Sequence, residues 1–235
     1  MNVLVIDVGG TSVKVLATGQ EVPRVFPSGP TLTADQMVSK VRHVAEGWKY
    51  EVVSIGVPAP VVNGHPVEEP RNLAPGWIRF DYKNAFRCPV KIMNDAAMQA
   101  LGSYEGGRMF FIGLGTGVGT ALIIEGAVQP MELAHLPYKN GTYEAYLGKK
   151  GLERLGLKRW RKNVFDCVSR LTLALQLEDV VIGGGNVRKL DDLPPHCRRG
   201  NNDNAFRGGF LMWEEPGHTY QATISEACSE SVRHG

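Results

Sequence analysis

Val90-Lys91-Ile92-Met93-Asn94-Asp95-Ala96 and, further on, Gly113-Leu114-Gly115-Thr116-Gly117-Val118-Gly119 form the stretch around which this chain is organised. Residues 90–93 read as a short strand ending at Asn94, and Ala96-Ala97-Met98-Gln99-Ala100-Leu101 are good helix formers. Asp95 therefore lies where a strand hands over to a helix, which is the binding edge of an open α/β sheet. Arg108 to Ile112 then reads as a strand entering the glycine run, and Thr120 to Ile124 as a strand leaving it. The glycines become a hairpin tip. Their N–H groups, with no Cβ in the way, suit a phosphate-binding nest, and the plainer reading is an ordinary hairpin turn. Neither the Walker pattern nor GxGxxG is matched.

The same layout occurs at the start of the chain. Asn2 to Ile6 is β-rich, Asp7-Val8-Gly9-Gly10-Thr11-Ser12 is a turn, and Val13 to Ala17 resumes as a strand. Two such hairpins suggest two related lobes facing a shared cleft. Between them, Thr33 can cap a helix from Ala34 to Ala45 with Met37, Val41 and Val44 on its buried face, and Glu51 to Val57 reads as a buried strand stopped by Pro58-Ala59-Pro60. Pro70 to Trp77 is a proline-bounded polar loop able to line a ligand site.

Beyond the glycine run, Glu132 and His135 stand within four residues of each other, and Glu144 follows. Such side chains can grip hydroxyls through paired donor and acceptor bonds, although an isolated Glu-x-x-His is more often structural. From Lys158 to Leu177, the residues Trp160, Val164, Val168, Leu171 and Leu175 recur at helical spacing. The start of that helix is basic: Lys149, Lys150, Arg154, Lys158, Arg159, Arg161 and Lys162. The cluster reads either as a solvated face or as an attractor for a polyanion. Val180 to Ile182 is a strand opening into Gly183-Gly184-Gly185, the chain is polar and irregular from Pro194 to Asn204, and Ala205 to Trp213 reads as a last short helix. Residues after Pro216 read as a frayed tail.

The 235 residues, 43% apolar, suffice for one large domain or two small lobes, and 26 basic against 24 acidic residues leave a net charge of +2 that gives no support to a nucleic-acid partner. Cys88, Cys167, Cys197 and Cys228 stand far apart with no CxxC pair, which suggests reduced thiols in a cytoplasmic protein and offers no zinc framework. No charged-then-apolar leader precedes Val3 and no apolar run approaches the ~20 residues of a membrane span, so no membrane association is expected.

Taken in order, Asp7-x-Gly9-Gly10-Thr11-x-x-Lys14, Gly56-Val57-Pro58-Ala59-Pro60, Asn94-Asp95-Ala96, Gly115-Thr116-Gly117-Val118-Gly119, Glu132-x-x-His135 and Gly183-Gly184-Gly185 resemble the ROK-family sugar kinases of the actin-like ATPase superfamily, closest to the polyphosphate/ATP glucokinases. The resemblance implies an α/β fold of two ribonuclease-H-like lobes, here residues 1–105 and 106–235. It implies a hexose kinase, most simply a glucokinase acting on glucose with ATP or polyphosphate as donor and Mg²⁺ as cofactor, assembled as a homodimer. By the same resemblance Asp95 is the general base, and Asn72, Asn94, Glu132, His135 and Glu144 hold the sugar. Asp7, Gly9, Gly10, Thr11 and Lys14 form the first phosphate loop, with Asp7 an indirect Mg²⁺ partner. Gly115, Thr116, Gly117 and Gly119 form the second, and Gly183, Gly184 and Gly185 lie beside the nucleotide base. The cysteine-rich zinc motif of many members is missing, so no zinc is expected. Ala134 stands where a glycine usually precedes the histidine, which is tolerable if its φ is negative. A strand directly after Met1 speaks against the helix-turn-helix of the ROK repressors. A catalytically silent sugar or nucleotide sensor of the same fold is the rival reading, and retention of Asp95 with Glu132, His135 and Glu144 favours the enzyme.

Overall fold

A computed structural model of the chain describes residues 1–201 and 203–214. The reading of a frayed tail after Pro216 lies outside those residues.

Two five-stranded sheets carry the fold. The first contains β1 (Val3–Val8), β2 (Ser12–Ala17), β3 (Arg24–Pro27), β4 (Val52–Val57) and, after the small hairpin β5 (Val61–Val62) and β6 (His65–Pro66), β7 (Val90–Asn94), in the order β3-β2-β1-β4-β7. The second contains β8 (Arg108–Leu114), β9 (Val118–Ile124), β10 (Ala127–Met131) and, beyond the hairpin β11 (Pro137–Tyr138) and β12 (Gly141–Thr142), β13 (Asp179–Gly183) and β14 (Cys197–Arg199), in the order β10-β9-β8-β13-β14. In both sheets the first strand pairs antiparallel with the second and parallel with the fourth. The two lobes expected from the repeated glycine hairpins thus share one topology. β1 and β4 are buried along their whole length, as near-continuous apolar strands covered on both faces must be.

Helices α1 (Ala34–Val44) and α2 (Tyr82–Phe86) belong to the core on the outside of the first sheet, where Leu4, Ile6 and Ile55 meet Met37, Val41 and Trp77. Thr33 caps α1 in a full capping box with Gln36. Outside the second sheet stand α4 (Tyr143–Leu147), α5 (Lys149–Leu155) and α6 (Leu157–Leu175), whose Trp160, Val164 and Val168 pack on Phe110 and Ile112. Between the sheets lie α3 (Asp95–Ser103) and α7 (Asn204–Leu211), sharing a core in which Val3, Val5, Met98, Met109, Phe111 and Phe206 come together. Although α7 follows the second sheet in sequence, Gly209 abuts Val5 and its carbonyl accepts from Ser54 Oγ on β4. Residue 105 lies between β7 and β8, and α3 and α7, which share one core, stand on either side of it in sequence.

Two sequence expectations change. The basic run does not open one long helix, because Gly156 at φ 72° divides α5 from α6. The stretch after Pro195 is not wholly irregular, since Cys197–Arg199 adds a parallel edge strand to β13, held there by Arg198 forked onto Asp179 at 3.0 and 2.8 Å.

Candidate active site

The parallel strands of both sheets end at one cleft of about 400 Å³. Register places Asp7 beside Gly56, and Val57 beside Asn94, at the carboxyl ends of β1, β4 and β7.

Asn94 ends β7 and caps α3: its Oδ1 accepts from the Ala96 and Ala97 N–H groups at 3.0 and 3.1 Å. Its Nδ2 donates to the Ala59 carbonyl at 3.2 Å and so ties in the proline turn. Asp95 is therefore not the cap but the first helical residue, with one carboxylate oxygen accepting from Ala96 N at 2.8 Å. Burial, reinforced by the carboxylates of Asp7 and Glu132 and opposed by the Ala96 N–H, pushes the Asp95 carboxyl up to about 7. That is the range in which a carboxylate both exists at neutral pH and accepts a proton usefully.

Asp7 is buried at the end of β1, 3.7 Å from Lys14 across the first hairpin. Burial outweighs Lys14, so its carboxyl too is raised. Glu132, exposed on one side, is raised by partial desolvation, opposed by His135 and Arg71, with Glu68 and Glu144 adding to the rise. His135 ends a 3₁₀ turn, Leu133–His135, and receives the Arg71 guanidinium at 3.2 Å. Ala134 in that turn is buried and is not among the residues of positive φ, so the extra methyl group is accommodated. Glu144 stands in the first turn of α4, which Thr142 caps, and its Oε2 accepts from Val118 N at 3.4 Å. This carboxylate thus touches the end of the second glycine loop as well as the cleft.

That loop does not use its glycines for left-handed backbone. None of Gly113, Gly115, Gly117 or Gly119 has a positive φ. A Cβ at Gly117 would stand 2.7 Å from Glu144 Oε2, and one at Gly119 2.7 Å from Ala96 Cβ. Nor are its N–H groups all available, because Gly115 N donates to Gly117 O at 3.0 Å. Gly184 is different: at φ 80° it lies against the Leu114 backbone, and Asn186 Nδ2 donates to Gly115 O, so the third glycine turn is docked on the second loop.

Asn72, Asn94, Asp95, Glu132, His135 and Glu144 all line the cleft. So do Gly10, Gly115, Thr116, Gly117, Gly119 and Gly184, whereas Asp7, Gly9, Thr11, Lys14, Gly183 and Gly185 are not among its lining residues. Sequence reasoning missed Glu68, Glu69 and Gln99, whereas Arg71 stands in the 70–77 loop, which the sequence reads as able to line a ligand site. Gln99 was detectable, since it follows Asp95 by four residues on one helix and so shares its face.

The ROK family model matches residues 3–130. The chain belongs to the ROK family. Glu132, His135 and Glu144 lie beyond the matched segment. Among solved structures this ROK chain is similar to the inorganic polyphosphate/ATP-glucomannokinase of Arthrobacter sp. strain KM, with TM-score 0.77 and 20% identity over 90% of this chain and 97% of that one. It is similar also to the ROK glucokinase of Streptomyces griseus in complex with glucose and AMPPNP, with TM-score 0.73 and 15% identity over 90% and 99%. A third likeness is to Lmo2764 of Listeria monocytogenes, described as a putative N-acetylmannosamine kinase, with TM-score 0.71 and 14% identity over 90% and 98%. A sequence comparison with curated proteins finds no match. The fold is that of the ROK sugar kinases, mixed α/β with two sheets about one cleft, and among the described residues no helix is long and apolar enough to cross a membrane.

Proposed function

We propose that this ROK-family chain is a hexose kinase, with glucose as its first candidate substrate, which moves a phosphoryl group from ATP or polyphosphate to the 6-hydroxyl of the sugar. The observation that carries this reading is Asp95, raised to about 7 at the head of α3 and facing the glycine loop across one cleft. A sugar hydroxyl is a weak nucleophile at neutral pH. As its oxygen forms the bond to phosphorus and the donor's P–O bond breaks, its proton passes to an Asp95 oxygen and the electron pair leaves with the donor. Glu132, Glu144 and His135 hold other hydroxyls, and Asn72, which lines the cleft together with Gly10, extends the seat toward the first loop. Asn94 contributes chiefly by capping α3 and so aiming Asp95.

Mg²⁺ fits as a cofactor held jointly by protein and donor. Among the described residues no cluster of three His, Cys, Asp or Glu side chains could hold a metal, but Mg²⁺ commonly takes one or two carboxylates together with substrate phosphates and water. Asp7 is the carboxylate suited to that role: burial holds its charge at a cost that a cation beside the donor would relieve. When bound, the ion neutralises charge on the transferred phosphoryl group. A coupled assay with Mg·ATP, or polyphosphate, and a panel of hexoses tests the reading; no turnover of any of them would overturn it.

His135→Ala should raise the sugar KM by roughly 5- to 150-fold, the equivalent of the ~1–3 kcal/mol lost with a polar grip on a hydroxyl. An unchanged KM would take His135 out of the seat. The donor question turns on α5 and α6. Arg161 is committed to Asp191 and to the Lys189 carbonyl, Arg154 donates to Ala145 O and Lys149 pairs with Glu153 at 3.9 Å, which leaves Lys150, Lys158, Arg159 and Lys162 as exposed cations. If these guide a polyanion, polyphosphate should serve as donor with a rate that falls as salt rises through the Debye range. Activity with ATP alone would return them to a solvated face.

A further inference from the structure

Arg71 Nη2 lies 3.2 Å from His135 Nε2, and the two residues come from opposite lobes. Arg71 belongs to the connection from β6 to α2, and His135 to the 3₁₀ turn after β10. A guanidinium has only N–H donors and keeps its charge throughout the range in which proteins are folded. The imidazole nitrogen facing it must therefore accept. A ring whose Nε2 accepts has its proton on Nδ1 when neutral, because the bond made by one nitrogen sets the state of the other.

The surroundings give that proton a use. The cleft is lined by the carboxylates of Glu68, Glu69, Asp95, Glu132 and Glu144, and Glu69 is already engaged by Trp77 N at 2.9 Å. Ionised carboxylates only accept. A sugar hydroxyl, by contrast, offers one proton and two lone pairs, so a seat built mainly of carboxylates also needs donors to satisfy the lone pairs of the hydroxyls it buries. Asn94 Nδ2 is partly spent on Ala59 O, and the Asn72 and Gln99 amides are further side-chain donors lining the cleft besides Arg71 and His135.

We propose that Arg71 is a positioning residue of the sugar seat, which reaches across the cleft to fix the His135 ring with Nε2 as acceptor and its proton on Nδ1, so that the imidazole meets the sugar as a hydrogen-bond donor. The identity of the ligand rests on the hexose-kinase reading, whereas the place of the ring proton is a property of the protein alone. The same bond spans the two lobes at the sugar side of the cleft and ties the 70–77 loop to the turn that bears Glu132.

¹⁵N NMR of the histidine-labelled protein tests this directly, with the His135 signals identified by their loss in His135→Gln. In the parent, at a pH where the ring is neutral, His135 should show a protonated Nδ1 and an unprotonated, hydrogen-bonded Nε2. Arg71→Ala should release that preference and raise the sugar KM about tenfold, the weight of one charge-assisted hydrogen bond, with kcat and the donor KM nearly unchanged. Arg71→Lys, which keeps a cationic donor on a shorter reach, should restore part of both. A parent ring protonated on Nε2, or an Arg71→Ala protein whose His135 proton stays on Nδ1, would overturn the proposal. A protein that phosphorylates no hexose would instead overturn the kinase reading and leave the NMR result to decide the role of Arg71.

Discussion

Asp95→Asn should lower kcat by roughly 10²–10⁴, the usual weight of general-base catalysis, while changing sugar affinity little. The amide keeps the shape and one acceptor oxygen but cannot take the hydroxyl proton. Asparagine would also leave α3 intact, because the N-cap is Asn94 and Asp95 follows it as the first helical residue. The pH dependence supplies a second handle. With its carboxyl near 7, the parent's kcat/KM should climb as pH rises toward neutrality and level off above it, and the substitution should abolish that inflection. Stability should move the other way. The folded pKa of Asp95 lies above the ordinary value of 3.8, so the folded state binds the proton more tightly than the unfolded chain. The stabilisation this gives is fully present at acid pH and is lost as pH rises through about 7. At pH 8 the parent therefore carries an unfavourable buried charge that Asp95→Asn removes, and thermal melts should find the variant the more stable. A folded Asp95→Asn protein with the parent rate on sugar would sink the mechanism.

Gly208→Ala should destabilise the fold by about 2–3 kcal/mol, against the gain of ~0.5–1 kcal/mol that alanine normally brings to a helix interior. A Cβ at Gly208 would come within 1.9 Å of the Met98 carbonyl oxygen, and one at Gly102 equally close to that of Asn204. These contacts are backbone on both sides, so no side chain can swing aside, and α3 and α7 must separate. The expected fall in Tm is roughly 4–12 °C for a chain of this size. Gly185→Ala is the control, since a Cβ there meets nothing within 4 Å. Equal melting of the Gly208→Ala protein and the parent would show that the crossing can relax. Because α3 begins at Asp95, its displacement should also cost activity.

Much of the site's scaffold was legible along the chain. The strand-to-helix junction at Asn94-Asp95, the paired glycine hairpins and the buried stripes of α1 and α6 are local signals. Each is written in period, cap or turn chemistry within a few residues, and each stands in the structure near its expected bounds. The split between α5 and α6 was readable too, from Gly156, but the spread of basic residues across it masked the break.

Distant contacts were not legible. That Arg71 meets His135, 64 residues away, depends on how two sheets sit about the α3–α7 pair, and nothing in either local sequence encodes that distance. The purpose of the second loop's glycines was hidden for the same reason: a glycine run advertises freedom of φ, whereas Gly119 is needed because the Ala96 Cβ crowds it. Sequence by itself determined most of the elements and the repeated strand–glycine turn–strand pattern. Tertiary structure alone decided that Asn94 is spent as a cap, that Asp95 is raised by burial beside Asp7 and Glu132, and that α7 returns to the first sheet. Propensity and periodicity act over one or two turns of chain, whereas desolvation and charge act through space, and a carboxyl's neighbours in space exist only once the lobes have packed.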